Sequence, residues 1–170
     1  MVFNNGVKVV SHPDRVIIFE PILDKEVNEV VSANIVEQYL KTVPHVKYNA
    51  IGINPRGHFS FGDEQQNQQF INNKYIKSGP WFDISNNTKI YLKFAFDLNG
   101  YLFNLEINHL FYRENENQIP IILFAGNIHH EIVGDSIDER HLNATNIIRN
   151  WKNDLVYFTE IVNRIFIGET

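Results

Sequence analysis

The stretch KIYLKFAFDLNGYLFNLEINHLFY, residues 89–112, determines the fold that this sequence predicts. Apolar and polar residues alternate over residues 89–98, which is the period of a half-buried strand. Asn99 and Gly100 follow, and this pair is typical of a two-residue type I′ turn because both residues tolerate positive φ. The chain then returns over residues 101–112, so the stretch predicts a β-hairpin.

The short loop also predicts the register of the hairpin, because a two-residue turn leaves the strands no freedom to slip. Leu98 should face Tyr101, and the ladder should continue away from the turn. On one face the expected pairs are Phe96–Phe103, Phe94–Leu105, Leu92–Ile107 and Ile90–His109; on the other they include Lys93–Glu106 and Tyr91–Asn108. All pairs of the first face except the last are apolar, so this face is expected to point into the core.

A third strand is predicted over residues 119–132, after a turn near Asn115 and Glu116. Its first half is apolar on both faces, as in a strand that is covered from both sides. We therefore expect a helix or a partner subunit on the polar face of the hairpin. Which face of this strand points inward stays open, because a slip of one residue exchanges the two faces.

The N-terminal half predicts two helices. Apolar residues recur with a helical period over residues 27–43, with Asp24 as the N-cap and Pro44 as the stop. A second helix should begin at Asp63, which has capping-box spacing to Gln66. Short strands are expected around these helices, at residues 7–10, 15–20, 46–53 and 58–61.

The C-terminal region predicts one long helix, which starts at the capping box of Ser136 and Glu139 and continues to Ile165, with an interruption near Asn143. Its apolar residues follow a heptad seam: Ala144, Ile148, Trp151, Leu155, Phe158, Val162 and Ile165. We favour an amphipathic helix that lies on the sheet, because short seams are common in globular proteins. A helix–helix dimer contact is the alternative.

Together these elements predict an α+β fold. It comprises an antiparallel sheet of about five or six strands with a central meander over residues 89–132, two helices from the N-terminal half, and a long C-terminal helix packed on the sheet. The chain of 170 residues shows no repeat or linker. We therefore expect a single globular domain over residues 1–170.

Composition narrows the classes of partner. The net charge of −5 disfavours nonspecific binding to nucleic acid or to an anionic membrane. The absence of Cys excludes a disulfide framework, a thiolate metal site and a thiol nucleophile. Neither a signal peptide nor a membrane-spanning run is apparent, so we expect a cytoplasmic protein with no membrane partner.

His129 and His130 are the first candidate site residues. Neighbouring residues of a strand point to opposite faces, so the two imidazoles cannot hold one ion in a regular strand. His109 is too distant along the sheet, by about 26 Å at ~3.3 Å per residue. A site of His130 with His58 or with His141 stays open, and the alternative is a hydrogen-bonded histidine at the sheet margin.

Arg56 and His58 form the second candidate, because they precede the helix that starts at Asp63 and could hold a phosphate or carboxylate there. Asp63 is expected to occupy that helix end itself, which favours a plain surface turn. The candidate ligand-binding residues are therefore His130, His129, Tyr101, His58 and Arg56. No catalytic set, metal site or cofactor motif is predicted.

Two functional hypotheses remain. The first is a non-enzymatic interaction or regulatory module that acts as a homodimer, motivated by the doubly apolar third strand and the heptad seam. The alternative is a small-molecule-binding protein or an enzyme, with a pocket near Tyr101 and His130.

Overall fold

A computed structural model describes residues 1–23, 25–77, 79–85, 88–98 and 100–167, without the side chains at positions 114 and 167. The fold is α+β with an antiparallel sheet, as the sequence predicts. Seven strands lie in the described part of the chain: β1 (Lys8–Ser11), β2 (Val16–Phe19), β3 (Ala50–Ile53), β4 (Arg56–Phe59), β5 (Leu92–Leu98), β6 (Tyr101–Glu114) and β7 (Asn117–Glu131). β1 and β2 form a small hairpin, and the other five strands form one sheet in the order β3-β7-β6-β5, with β4 also paired to β7.

The predicted register of the β5–β6 hairpin is confirmed. Leu98 pairs with Tyr101, Phe96 with Phe103, and the ladder continues to Leu92 and Ile107. Gly100 has a φ of 111°, a conformation that side chains other than glycine rarely adopt. Asn99 lies outside the described residues. β5 begins only at Leu92, so the predicted pairs of Tyr91 and Ile90 are not part of the ladder.

The third strand and its turn are also confirmed. Glu114 pairs with Asn117, and Asn115 adopts a φ of 56° between them. Asn tolerates this left-handed conformation better than most residues. The resulting register places His109 opposite Ile122.

The register also decides which residues share a face of the sheet. We call inner face the side that carries the buried residues Phe103, Leu105, Ile107, Ile122, Phe124 and Ile128. The outer face is the opposite side, and it carries Tyr91, Lys93, Asp97, Leu102, Asn104, Glu106, Asn108, Leu110, Tyr112, Ile119, Ile121, Leu123, Ala125, Asn127 and His129, with Arg56 and His58 of β4. The outer face thus combines polar and apolar side chains, whereas the inner face is mostly apolar.

The described helices are α1 (Ser32–Thr42), α2 (Glu64–Tyr75), α3 (Trp81–Ile84), α4 (Ile137–Arg149) and α5 (Trp151–Ile167). The Asp63 cap of α2 is confirmed, since its side chain accepts hydrogen bonds from the backbone of Gln65 and Gln66. The capping box of Ser136 and Glu139 is confirmed as well. α3 was not predicted.

Several predicted boundaries are wrong. The strand expected over residues 58–61 is Arg56–Phe59, so Arg56 and His58 lie in a strand and not in a plain surface turn. The first helix starts at Ser32 rather than Val27, because residues 27–29 form a separate 3₁₀ turn; its predicted cap, Asp24, lies outside the described residues. The strand expected over residues 46–53 begins at Ala50. The C-terminal helix is interrupted at Asn150 instead of Asn143, because the Asn150 side chain donates to the Asn146 carbonyl and caps α4.

The chain divides into two compact units. Unit 1 comprises residues 1–51 and 130–157, and unit 2 comprises residues 52–129 and 158–170. In unit 1 the buried apolar residues are Val7, Leu40, Ile132, Ala144 and Ile148, and Arg149 of α4 donates to Glu37 of α1 at 2.6 Å. The expectation of a single domain stays a prediction.

In unit 2, helical side chains cover the inner face of the sheet. A Cβ at Gly126 would lie 2.8 Å from the ring of Phe158 in α5, so this glycine permits a close approach of helix and strand. Phe166, near the end of α5, packs against Phe59 and Phe124 with ring centroids 4.5 and 6.1 Å away. This half of α5 lies on the sheet, as predicted for the C-terminal helix.

Candidate functional site

Arg56 and His58, two of the predicted site residues, lie on the outer face. Arg56 pairs with Ala125 and His58 pairs with Leu123. The His58 ring stacks on Tyr112 with centroids 5.7 Å apart. Both residues are exposed, and they are separated from the Asp63 cap of α2 by the end of β4.

His129 and His130 point to opposite faces, as expected for neighbours in a strand. His129 lies opposite Leu102 and therefore belongs to the outer face. His130 shares the parity of the inner-face residues, and its Nε2 lies 3.0 Å from Oδ2 of Asp154 in α5. The sequence left open which of the two histidines points inward. In the structure, His130 is the one that does.

The His130–Asp154 pair links the end of β7 to α5 within unit 1. Both side chains are largely buried. Burial raises the pKa of the Asp154 carboxyl, while the neighbouring imidazole lowers that pKa by less. A buried carboxylate costs free energy even when it is paired, so this pair is consistent with a structural role.

The remaining predicted residues belong to different units of the chain. Tyr101 begins β6 in unit 2, whereas His130 belongs to unit 1. His141 contacts Tyr48 edge to face, with ring centroids 5.4 Å apart. The structure therefore brings Arg56, His58 and His129 onto one face of a sheet, and the predicted ligand site of all five residues stays a prediction.

Among the described residues, no group of three or more His, Asp or Glu side chains is arranged to hold a metal ion. Unit 2 has a shallow, open groove of about 450 Å³ beside α2, lined by Phe61, Gln66, Gln69, Phe70, Asn73 and Lys74. The ammonium of Lys74 already has a partner in this groove, because its Nζ donates a hydrogen bond to the Phe166 carbonyl at 2.5 Å.

The outer face has an apolar end, which we call the outer patch: Leu110, Tyr112, Ile119, Ile121 and Leu123. Leu110 and Tyr112 are 41% and 48% exposed. The observed contacts of Phe158 and Phe166 go to the inner face. On the outer face Leu110 and Tyr112 are exposed, whereas Ile121 is buried, with 6% of its surface exposed. The doubly apolar strand that the sequence indicates is therefore covered by these rings on one side only.

Charges on the outer face are balanced. Lys93 and Glu106 form an ion pair across the β5–β6 ladder at 3.1 Å. Arg56 lies in the same row across the sheet, beside Ala125, and Asp97 lies nearer the hairpin turn. Arg56, Lys93 and Glu106 thus lie in the row next to Leu123 of the outer patch, and Asp97 lies farther along the sheet, although the whole chain carries a net charge of −5.

Three buried polar residues, Asp154, His109 and Asn67, were not identified from the sequence as important, and the first two interrupt apolar patterns. Asp154 lies between Trp151 and Phe158 on the apolar stripe of α5. An acidic residue at such a position indicates a buried carboxylate, so the sequence could have identified it. His109 is the polar member of the predicted core face of the hairpin. In both cases a polar residue interrupts an apolar period.

Comparison with known proteins identifies no relative: no protein-family model, curated protein or solved structure matches this chain. Within the described ranges, every helix is too short or too polar to cross a bilayer.

Proposed function

We propose that this protein is a non-enzymatic interaction module that acts in the cytoplasm as a homodimer, with the outer patch as the contact surface. The observation that carries the proposal is the exposure of Leu110 and Tyr112 on the outer face of β6, a central strand of the sheet. A cluster of exposed apolar side chains with a polar surround is typical of a protein–protein contact.

A second copy is the partner that the charges favour. A two-fold contact brings the same surface together twice, so the surface must complement itself. The outer face satisfies this condition, because Arg56 and Lys93 balance Glu106 and Asp97. A strongly acidic or basic partner would find no net charge of opposite sign on this surface.

The heptad seam supports this choice of surface indirectly. α4 ends at Arg149, so the seam is interrupted between Ile148 and Trp151. Ala144, Ile148 and Phe158 of the seam are buried within the chain. Because these side chains are already buried within the chain, they are not free to contact a second copy. The outer patch is therefore the better candidate for a dimer contact.

The test is the solution mass of the wild type and of Leu110→Lys, measured by sedimentation velocity and native mass spectrometry at micromolar concentrations. We expect a wild-type dimer and a monomeric variant, because two introduced ammonium groups would face each other near the two-fold axis. Leu142→Lys is the matched control, since Leu142 is an exposed leucine on α4 outside the outer patch.

A wild-type monomer throughout this concentration range would refute the proposal, and a Leu110→Lys dimer would refute the choice of surface. Protein purified without chelator also tests the alternative, a ligand-binding protein or enzyme. The observation that favours the alternative is the His130–Asp154 pair, in which a buried carboxylate orients an imidazole. A retained metal or organic mass that is lost in His130→Ala would support this alternative.

A further inference from the structure

His109 is a buried histidine in the central part of unit 2. It lies on the inner face of β6 opposite Ile122, and only 6% of its surface is exposed. The preceding inner-face residues of the strand, Leu105 and Ile107, are fully buried and apolar. An imidazole in this position is expected to be neutral, because burial penalises the charged form.

Charged groups surround His109 on two sides. Glu64, the first residue of α2, lies close enough for its carboxylate and its backbone to act on the pKa of the imidazole. The Glu64 carboxylate forms an ion pair with Lys89 at 3.3 Å, and Lys89 lies in the segment that precedes β5. On β7 the residue that faces His109 is the apolar Ile122. The Phe111 ring lies edge to face with the imidazole, with ring centroids 6.0 Å apart.

The segment before β5 is held to α2 by a further contact: the Gln68 side chain donates to the Thr88 carbonyl. Lys89 itself lies over the Phe111 ring, 5.8 Å from its centroid. The first turns of α2, the segment at residues 88–91 and the strand β6 thus meet around one imidazole.

Protonation of that imidazole would add an N–H group for which no hydrogen-bond acceptor is in place. The Nε2 atom of His109 is buried and has no hydrogen-bond partner among the described residues. A proton added there would create a buried cation with an unsatisfied N–H, which costs several times more than a satisfied hydrogen bond contributes. The Glu64 carboxylate could compensate only by leaving Lys89.

We propose that His109 is an acid-sensitive latch, whose protonation opens the contact of α2 and of residues 88–91 with the central strand β6. The latch is closed by the neutral, buried imidazole, with Lys89 paired to Glu64 and lying over the Phe111 ring. It opens in acid because the imidazolium is better solvated outside the core. This device concerns the inner face and stands independently of the proposed dimer.

The direction of the pH dependence follows from the electrostatics. Burial lowers the pKa of His109, and the Lys89 ammonium also lowers it. The Glu64 carboxylate and the Glu64 backbone raise this pKa by less, so the net pKa is lowered. A group with a lowered pKa in the closed state favours that state above the pKa of the open state, about 6.5 for histidine. The closed state is therefore lost progressively as the pH falls below that value.

The test is amide hydrogen exchange of peptides from α2 and from residues 88–98, measured between pH 7.5 and 5 and corrected for intrinsic rates. We expect protection in these peptides to fall by about tenfold per pH unit below about 6.5, as one linked proton requires. His109→Leu should lose this dependence, whereas the control His12→Gln, an exposed histidine of unit 1, should retain it.

The charged neighbours allow a second, directional test. Glu64→Gln should enlarge the loss of protection in acid, because it removes the carboxylate that favours the imidazolium. Lys89→Gln should reduce the loss, because it removes the repelling ammonium. A direct titration of the His109 ring by NMR in the wild type does not depend on any variant folding.

Four outcomes would overturn the inference. They are a His109 titration midpoint at or above about 6.5, a wild type whose corrected protection is independent of pH, a His109→Leu variant with the wild-type pH dependence, and equal effects of Glu64→Gln and Lys89→Gln.

Discussion

Glu20 shows how a single side chain determines where a helix begins. Its carboxylate accepts hydrogen bonds from the backbone N–H of Val31 at 3.0 Å and of Ser32 at 2.7 Å. The Lys25 ammonium donates to the same carboxylate at 2.7 Å, and the Glu20 side chain is 2% exposed. Glu20 therefore caps α1 from eleven residues away in the chain, in place of an adjacent N-cap residue.

The Glu20 carboxylate should make stability depend on pH in acid. Burial raises the pKa of Glu20, but the hydrogen bonds from Lys25, Val31 and Ser32 lower it, and the net pKa is below its usual value. A lowered folded-state pKa contributes stability above the unfolded value, about 4.3, and this contribution is lost as the pH falls through the folded pKa.

Accordingly, we expect Glu20→Gln to lower the free energy of unfolding at pH 7 by about 2 kcal/mol, the range of hydrogen bonds to a charged group. The difference from wild type should shrink as the pH falls below about 4.3. Urea titrations at pH 7 and at lower pH measure both effects. Glu160→Gln, at an exposed position of α5, should leave stability unchanged; a Glu20→Gln variant as stable as wild type would contradict the capping role.

Asp154 should behave in the opposite way. Burial raises its pKa despite the pairing with His130, so its contribution to stability is largest below the unfolded pKa and is lost as the pH rises through the folded value. Charged Asp154 therefore costs stability near neutrality. Asp154→Asn keeps an oxygen that can accept from His130 and removes the charge.

For this reason, we expect Asp154→Asn to match or exceed the wild type in free energy of unfolding at pH 7. Asp154→Ala should lose about 2 kcal/mol, because it removes the buried acceptor altogether. Chemical denaturation at pH 7 distinguishes the two variants. If both lose the same amount, the charge of Asp154 itself stabilises the pair.

Among the elements, α5 shows how a helix end is satisfied by another helix. The last carbonyls of a helix have no partner within it. The Tyr75 hydroxyl donates to the Ile165 carbonyl at 2.6 Å, and Lys74 donates to the Phe166 carbonyl at 2.5 Å. Two adjacent residues at the end of α2 thus cap the end of α5.

Tyr75→Phe should destabilise unit 2 by about 1 kcal/mol, the usual value of one neutral hydrogen bond. Burial raises the pKa of Tyr75 to about 12, so the phenol stays protonated and the loss should be the same from pH 6 to about pH 9. Hydrogen exchange of residues 158–167 measures the effect locally. Tyr91→Phe, an exposed tyrosine on the outer face, is the matched control, and equal exchange in both variants would contradict the cap.

At the scale of the whole molecule, the net charge and the outer face both favour a second copy of the chain over a polyanion as the partner. A net charge of −5 opposes association with polyanions, and the balanced outer face permits association of two copies. The expected dimer should consequently depend only weakly on salt. An association that strengthens steeply as salt is removed would instead indicate a contact dominated by charge.

The amino-acid sequence by itself determined the central meander. The alternation of residues 89–98, the Asn-Gly pair and the turn near Asn115 are local features, and each restricts the backbone without help from distant residues. For that reason the register of β5 and β6 agrees with the prediction, whereas the inward face of β7 was decided only by the fold. The caps at Asp63 and Ser136 were predictable for the same reason, because a cap and its helix are adjacent in sequence.

Tertiary structure alone decided the rest. Glu20 reaches α1 across eleven residues, His130 finds Asp154 across 24 residues, and Tyr75 reaches Ile165 across 90 residues. No periodicity connects such positions, because each contact depends on how separate elements pack against one another. The same dependence explains why the start of α1 and the choice of His130 rather than His129 as the inward-facing histidine had to be read from the fold.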